Sequence, residues 1–161
     1  MTSLAIPADL QPVEPAYRHA LRAQAAIFWV PIFLAALAVD QIVLATTPFA
    51  SLLPVLAGAI GLGAIMVRPD RIYRRLGYAI DGRLLRTVRG WLFHTDTVVP
   101  FVRVQHIDVT RGPVDKIFGT ASLVVHTAGT HNSVVVLPGL SPQRAAEIRE
   151  AIRAEIRADA E

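Results

Sequence analysis

The sequence predicts an N-terminal transmembrane α-helical hairpin followed by a mainly-β domain, two packed antiparallel sheets or an open barrel, capped by a C-terminal α-helix. Three observations carry this. Two long runs before Arg68 are almost free of charge; short β-branched runs bounded by turn residues fill the stretch from Leu76 to Gly139; the last segment is rich in Ala, Glu and Arg with one apolar stripe. The 161-residue chain is 53% hydrophobic with a mean hydropathy of +0.44, more apolar than a small soluble domain, and the excess lies before residue 68. The expected boundaries are a cytoplasmic N-terminal segment over 1–22, a two-helix hairpin over 23–67, and a cytoplasmic β domain over 70–161 with its helix at 142–158.

The second apolar run, Phe49 to Val67, has no charged residue. At roughly 1.5 Å per residue it spans most of a ~30 Å hydrocarbon core. The first run begins near Ala23, meets Asp40 and Gln41, and resumes to Ala45. Only Thr46, Thr47 and Pro48 separate the two, so the spans form an antiparallel hairpin. Arg18 and Arg22 precede it, Arg68, Arg71, Arg74 and Arg75 follow it, and the turn has neither Lys nor Arg. The positive-inside rule therefore predicts a multi-pass protein of the cell membrane with both termini cytoplasmic. A cleaved signal peptide fits less well, because about twenty residues including Glu14 precede a run too long for an h-region.

Asp40 and Gln41 are the candidate intramembrane polar contacts. A carboxylate near a helix end costs less than one at the bilayer centre, where insertion scales give about 2.5–3.5 kcal/mol. Asp40 is read first as an interfacial or protonated side chain, with a proton relay or partner contact as the alternative. Pro31 and Pro54 are tolerable in lipid-embedded helices. Ala57, Gly58, Gly61 and Gly63, with Ala35, Ala36 and Ala38, suit close packing within the hairpin, or less simply a dimer interface.

From Leu76 the period changes. "LGYAI" and "RLLRTVRG" meet at Asp81-Gly82, a dipeptide that favours a tight hairpin. "TDTVVP", "VRVQHIDVT", "TASLVVHTA" and "NSVVVLPG" bring the count to six strands. Ser141 then caps a helix opened by Pro142, whose stripe Ala145, Ile148, Ile152 and Ile156 is spaced to cover an open barrel end.

This order of elements is accompanied by particular residues: Arg89-Gly90 after a hairpin, "VP" before "RVQHIDVTRGP", and "IFGTASLVVHTAG" running into "LPGL". Across Gly77 to Ile152 the chain resembles the bacterial pleckstrin-homology-like membrane proteins of the YdbS type, also known as the DUF304 or bacterial PH-2 family. The resemblance implies a PH-like fold on the cytoplasmic side of the membrane. That fold ordinarily has seven strands, so the seventh is expected around Arg71 to Arg75, or one of the six runs is wrongly divided. The rival is an OB-like barrel of the NfeD type, disfavoured because it leaves the C-terminal helix without a role.

The search for chemistry returns little. His94-x-Asp96 and His106-x-Asp108 each put an imidazole and a carboxylate on one face of a strand, with His126 on another strand, but none has a recognised metal spacing, and His131 falls in a predicted turn. There is no G-x-S-x-G elbow, Walker motif or dinucleotide fingerprint, and "GAIGLG" lies inside an apolar helix. "RGPVDKIFG", which holds the only lysine, leads to a strand instead of a long helix. It reads as a short helical turn over Pro113 to Phe118, with Ile117 and Phe118 inward, Lys116 in water, and Gly112 and Gly119 as its corners. Without cysteine there is neither a disulfide framework nor thiol chemistry.

Arg71, Arg74, Arg75, Arg83, Arg86 and Arg89 are expected to bring positive charge to the membrane-facing start of the domain. Each is worth roughly 1 kcal/mol near an anionic leaflet. Arg68, Arg71, Arg74 and Arg75 are thus the candidate headgroup contacts, the simpler alternative being that they only enforce topology. The pI near 9.9 accompanies a net charge of only +3, which the membrane-adjacent arginines account for without nucleic acid. The expectation is a non-catalytic, cofactor-free, membrane-anchored PH-like module. Its partners would be the lipid bilayer and other membrane proteins, related PH-like proteins or itself among them. The alternative is an accessory subunit of a transport-related membrane complex with an OB/NfeD-like β domain, in which Asp40 would matter more.

Overall fold

The computed structural model describes residues 10–91, 93–128 and 134–158; the turn expected at His131 lies outside them. Helix α1 (Ala16–Val39) continues as a π-helical turn, Asp40–Leu44, and α2 (Leu52–Tyr73) returns beside it. Both are long and apolar enough to cross a membrane. Only 11% and 17% of their most apolar windows is enclosed by protein, whereas a core helix of a soluble domain would be mostly covered.

The helices lie in one antiparallel register. Asp40 is opposite Ser51, Phe33 packs on Gly58, Trp29 on Gly61, and Arg22 meets Asp70. A Cβ at Gly58 would sit 3.2 Å from Phe33 Cε2, so glycine lets the aromatic ring approach the backbone. Gly63 meets nothing within 4 Å and has no part in this contact.

The helix limits differ from expectation. Ser51 adopts φ +67 and breaks the chain, so α2 starts at Leu52 and not at Phe49. At the other end α2 runs past Pro69 to Tyr73, because Asp70 has a partner on α1 that holds the extra turn. Likewise α1 begins at Ala16, seven residues before the predicted Ala23.

Four strands form the first sheet in the order β1 (Gln11–Pro12), β2 (Gly77–Asp81), β3 (Leu84–Arg89), β4 (Thr95–Pro100). Three form the second: β5 (Val104–Thr110), β6 (Ala121–Thr127), β7 (Val134–Leu140). All pairings are antiparallel. The six predicted strands are present, and the seventh is β1. It precedes the hairpin and does not arise around Arg71 to Arg75, where Arg71 lies in the last turn of α2 and Arg74 is its C-cap residue. Asp81 pairs with Leu84, so the hairpin turn is Gly82-Arg83, one residue later than expected, with φ +52 at Gly82.

The core joins both sheets to α4 (Pro142–Ala158) through Leu85, Leu123, Leu137, Leu140, Ala145, Ile148 and Ile152, all nearly inaccessible. Ile156 packs at its margin. The Ser141 hydroxyl accepts the Arg144 N–H at 3.2 Å and starts the helix. Val13, Tyr17 and Ala20 belong to this same core. The expected boundary after residue 22 is therefore crossed by the core: Val13 before α1, and Tyr17 and Ala20 in its first turns, are built into the β domain.

Between β5 and β6, α3 (Pro113–Phe118) turns on its Asp115. The carboxylate accepts the Gly112 N–H at 3.0 Å and the Thr120 hydroxyl at 2.8 Å, closing the loop on itself. Phe118 packs on the core, but Ile117 faces outward, 78% exposed, against expectation. Val114 and Phe118, four residues apart, share the packed face of so short a helix, and Ile117 falls on its flank. Gly119 has φ +68, while Gly112 is ordinary extended backbone and supplies no special corner.

Candidate membrane-facing site

Where the helices meet the β domain, charge is concentrated and largely paired. Arg22 Nη2 donates to both Asp70 oxygens, at 3.0 and 3.1 Å, and Arg18 Nε lies 3.6 Å from Oδ1. Arg22 Nε is buried without a hydrogen-bond partner. Tyr73 adds a hydrogen bond from its hydroxyl to the Val13 carbonyl at 3.3 Å. The positive-inside rule takes Arg18 and Arg22 only as charges that precede the first span and gives no part to Asp70. Its position inside Arg68-Pro69-Asp70-Arg71, opposite two arginines of an antiparallel partner, was the available signal.

The four candidate headgroup contacts divide. Arg68, Arg71 and Arg74 are exposed, with no ion pair among the described residues. Arg75 is half-buried and donates from Nη1 to the Trp91 carbonyl at 2.7 Å, tying the loop after β3 to the end of α2. Arg83 and Arg86 do not join them. Arg83 is in the far turn, with Nε 3.0 Å from Glu155 on α4, and Arg86 grips Asp96 across the outer face of the first sheet. Hydrogen bonds and charge from Arg86 hold the Asp96 carboxyl below the usual carboxylate range.

At the other end of the hairpin, Asp40 is buried and its Oδ1 accepts the Ser51 N–H at 2.7 Å. Ser51 is the residue before α2, so Asp40 serves a backbone donor that the helix itself cannot satisfy. Gln41 is exposed.

The histidine pairs separate as well. His106 Nε2 is 2.8 Å from Asp108 Oδ1 and His126 Nε2 is 3.5 Å from Oδ2, so both rings face one carboxylate, while Asp96 is occupied by Arg86. Among the described residues no group of three or more His, Asp or Glu side chains is placed to hold a metal ion.

The family model for the bacterial PH domain matches residues 25–156. The chain belongs to that family. A curated relative, the UPF0699 transmembrane protein YdbS of Bacillus subtilis (strain 168), is 38% identical over 88 residues, 55% of this chain and 54% of that protein. The chain thus spans about half the length of the relative it matches. No solved structure matches. A PH-like domain carried by apolar helices is accordingly a membrane protein of this bacterial family. The match begins at residue 25, so the segment that supplies β1, Val13, Tyr17 and Ala20 lies outside the matched residues.

Proposed function

We propose that this chain is a non-catalytic, membrane-anchored module whose PH-like domain is held at the cytoplasmic face in a fixed orientation, presenting its surface to other membrane proteins. The carrying observation is the continuity of anchor and domain: Val13, Tyr17 and Ala20 are core residues of the β domain on the segment that leads into α1. A domain attached by a flexible linker samples many orientations, whereas one sharing its core with the anchor has one. Arg68, Arg71 and Arg74 remain available to anionic headgroups beneath it, and they support a topology with both termini cytoplasmic and the hairpin crossing twice. The use of Asp40 to serve Ser51 favours this reading over a transport role for that carboxylate.

The test is purification of the full chain in mild detergent with identification of the membrane proteins that accompany it. A reproducible membrane-protein partner, lost when exposed residues of the β domain are replaced, is the expected result. Recovery of the chain with lipid alone counts against the complex.

A further inference from the structure

We propose that the loop between β3 and β4 is a second membrane contact, in which Phe93 enters the lipid interface beside the point where α2 emerges. The proposal rests on the reading that the hairpin spans the bilayer. Only residues 74–76 separate α2 from β2, and β2 pairs Gly77 with Val88. The end of β3 therefore runs back toward the helix exit, and the residues after Arg89 project beyond the sheet on that side. Arg75 secures this placement by donating to the Trp91 carbonyl at 2.7 Å.

The loop is shaped to present an apolar side chain. Gly90 has φ +137, and a Cβ there would collide with the Phe93 carbonyl oxygen, so only glycine serves at that position. Phe93 is 84% exposed. An exposed Phe two residues from Trp91, in a loop that begins after the exposed Arg89 and is tied by Arg75 to the end of α2, has the composition of a side chain that partitions into the headgroup and acyl boundary. The occupant favoured is lipid, since the loop is continuous with the surface from which α2 leaves. Val102, 82% exposed, gives the contrast: it neighbours Phe101, whose N–H bonds the Arg83 carbonyl at the far turn.

The natural chain has no cysteine, so single labels are unambiguous. Full-length Phe93→Cys, Val102→Cys and Ile60→Cys, each carrying an environment-sensitive NBD fluorophore, are reconstituted in vesicles of phosphatidylcholine and phosphatidylglycerol. Quenching by lipid-borne nitroxides is compared with quenching by aqueous iodide. The expected result is lipid quenching and a blue-shifted emission at 60 and 93, with the label at 102 quenched by iodide. A label at 93 that stays aqueous while 60 is lipid-quenched overturns the loop contact and leaves the anchor intact, as does a blue shift at 93 without lipid quenching, which indicates a protein surface. If 60 is also aqueous, the anchoring reading itself falls. Phe93→Ser, labelled at 60, checks that losing the aromatic leaves the hairpin inserted.

Discussion

Gly139 and Tyr17 are packed so closely that a Cβ on the glycine would lie 2.6 Å from Tyr17 Cγ. One residue is in the last strand and the other in the first turn of α1, and the Glu14 N–H bonds the Gly139 carbonyl at 2.8 Å beside them. Arg144 reinforces the junction from α4, donating to the Tyr78 hydroxyl at 3.2 Å and to Gln11 Oε1 at 3.0 Å. The segment that leads into α1 is thereby locked to β7 and α4.

Gly139→Ala should be costly for two reasons, the φ of +77 and the contact with the ring. A loss of roughly 1–3 kcal/mol is expected, read as a lower unfolding midpoint in detergent. In a Tyr17→Ala background the same change should cost less, because the obstructing ring is gone. Equal costs in both backgrounds would show that the junction is not tight.

Asp70→Asn removes the charge that Arg22 and Arg18 share. The pair is about a third exposed, so a loss of about 1–2 kcal/mol is expected, between that of a surface ion pair and a buried one. Thermal unfolding at low and high salt measures it; the difference between wild type and variant should narrow with added salt.

At Asp40 the two natural replacements should part company. Asn keeps an acceptor oxygen for the Ser51 N–H, whereas Leu leaves that donor without one at a cost of about 1–3 kcal/mol. Resistance of the connecting turn to proteolysis should fall for Asp40→Leu and persist for Asp40→Asn. Equal behaviour would point away from the backbone bond.

Arg86 and Asp96 predict a sign in acid. The folded-state pKa of Asp96 is lowered, chiefly by its hydrogen bonds to Arg86, so the pair stabilises above the unfolded carboxylate range and its contribution disappears as pH falls through the lowered value. Wild type should therefore exceed Arg86→Gln in stability at neutral pH, and the two should converge on acidification. Circular dichroism at a series of pH values tests this; a gap that widens in acid would contradict the assignment.

Much of the fold was legible because its signals are local. Charge-free runs, β-branched alternation and one amphipathic stripe each report on consecutive residues, and they placed both helices, six strands and α4. Strand β1 was not legible: two residues, one of them proline, carry no period, and they are strand only because Tyr78 and Gly77 stand opposite. Ile117 looked like core by composition, and only the packing of α3 turned it outward.

The candidate site divides along the same line. The sequence alone determined that arginines cluster at the end of the second apolar run and that a carboxylate sits late in the first. Which of those charges are spent on internal contacts depended on residues far apart in the chain: Asp70 is 48 positions from Arg22, Trp91 is 16 from Arg75, and Ser51 is 11 from Asp40. A hydrophobic pattern is a property of a segment, whereas a hydrogen bond is a property of a pair. The sequence therefore determined which runs are long and apolar enough to cross a membrane and which six runs fold as strands. Only the tertiary structure decided that anchor and domain share one core, and that Arg68, Arg71 and Arg74 are left exposed.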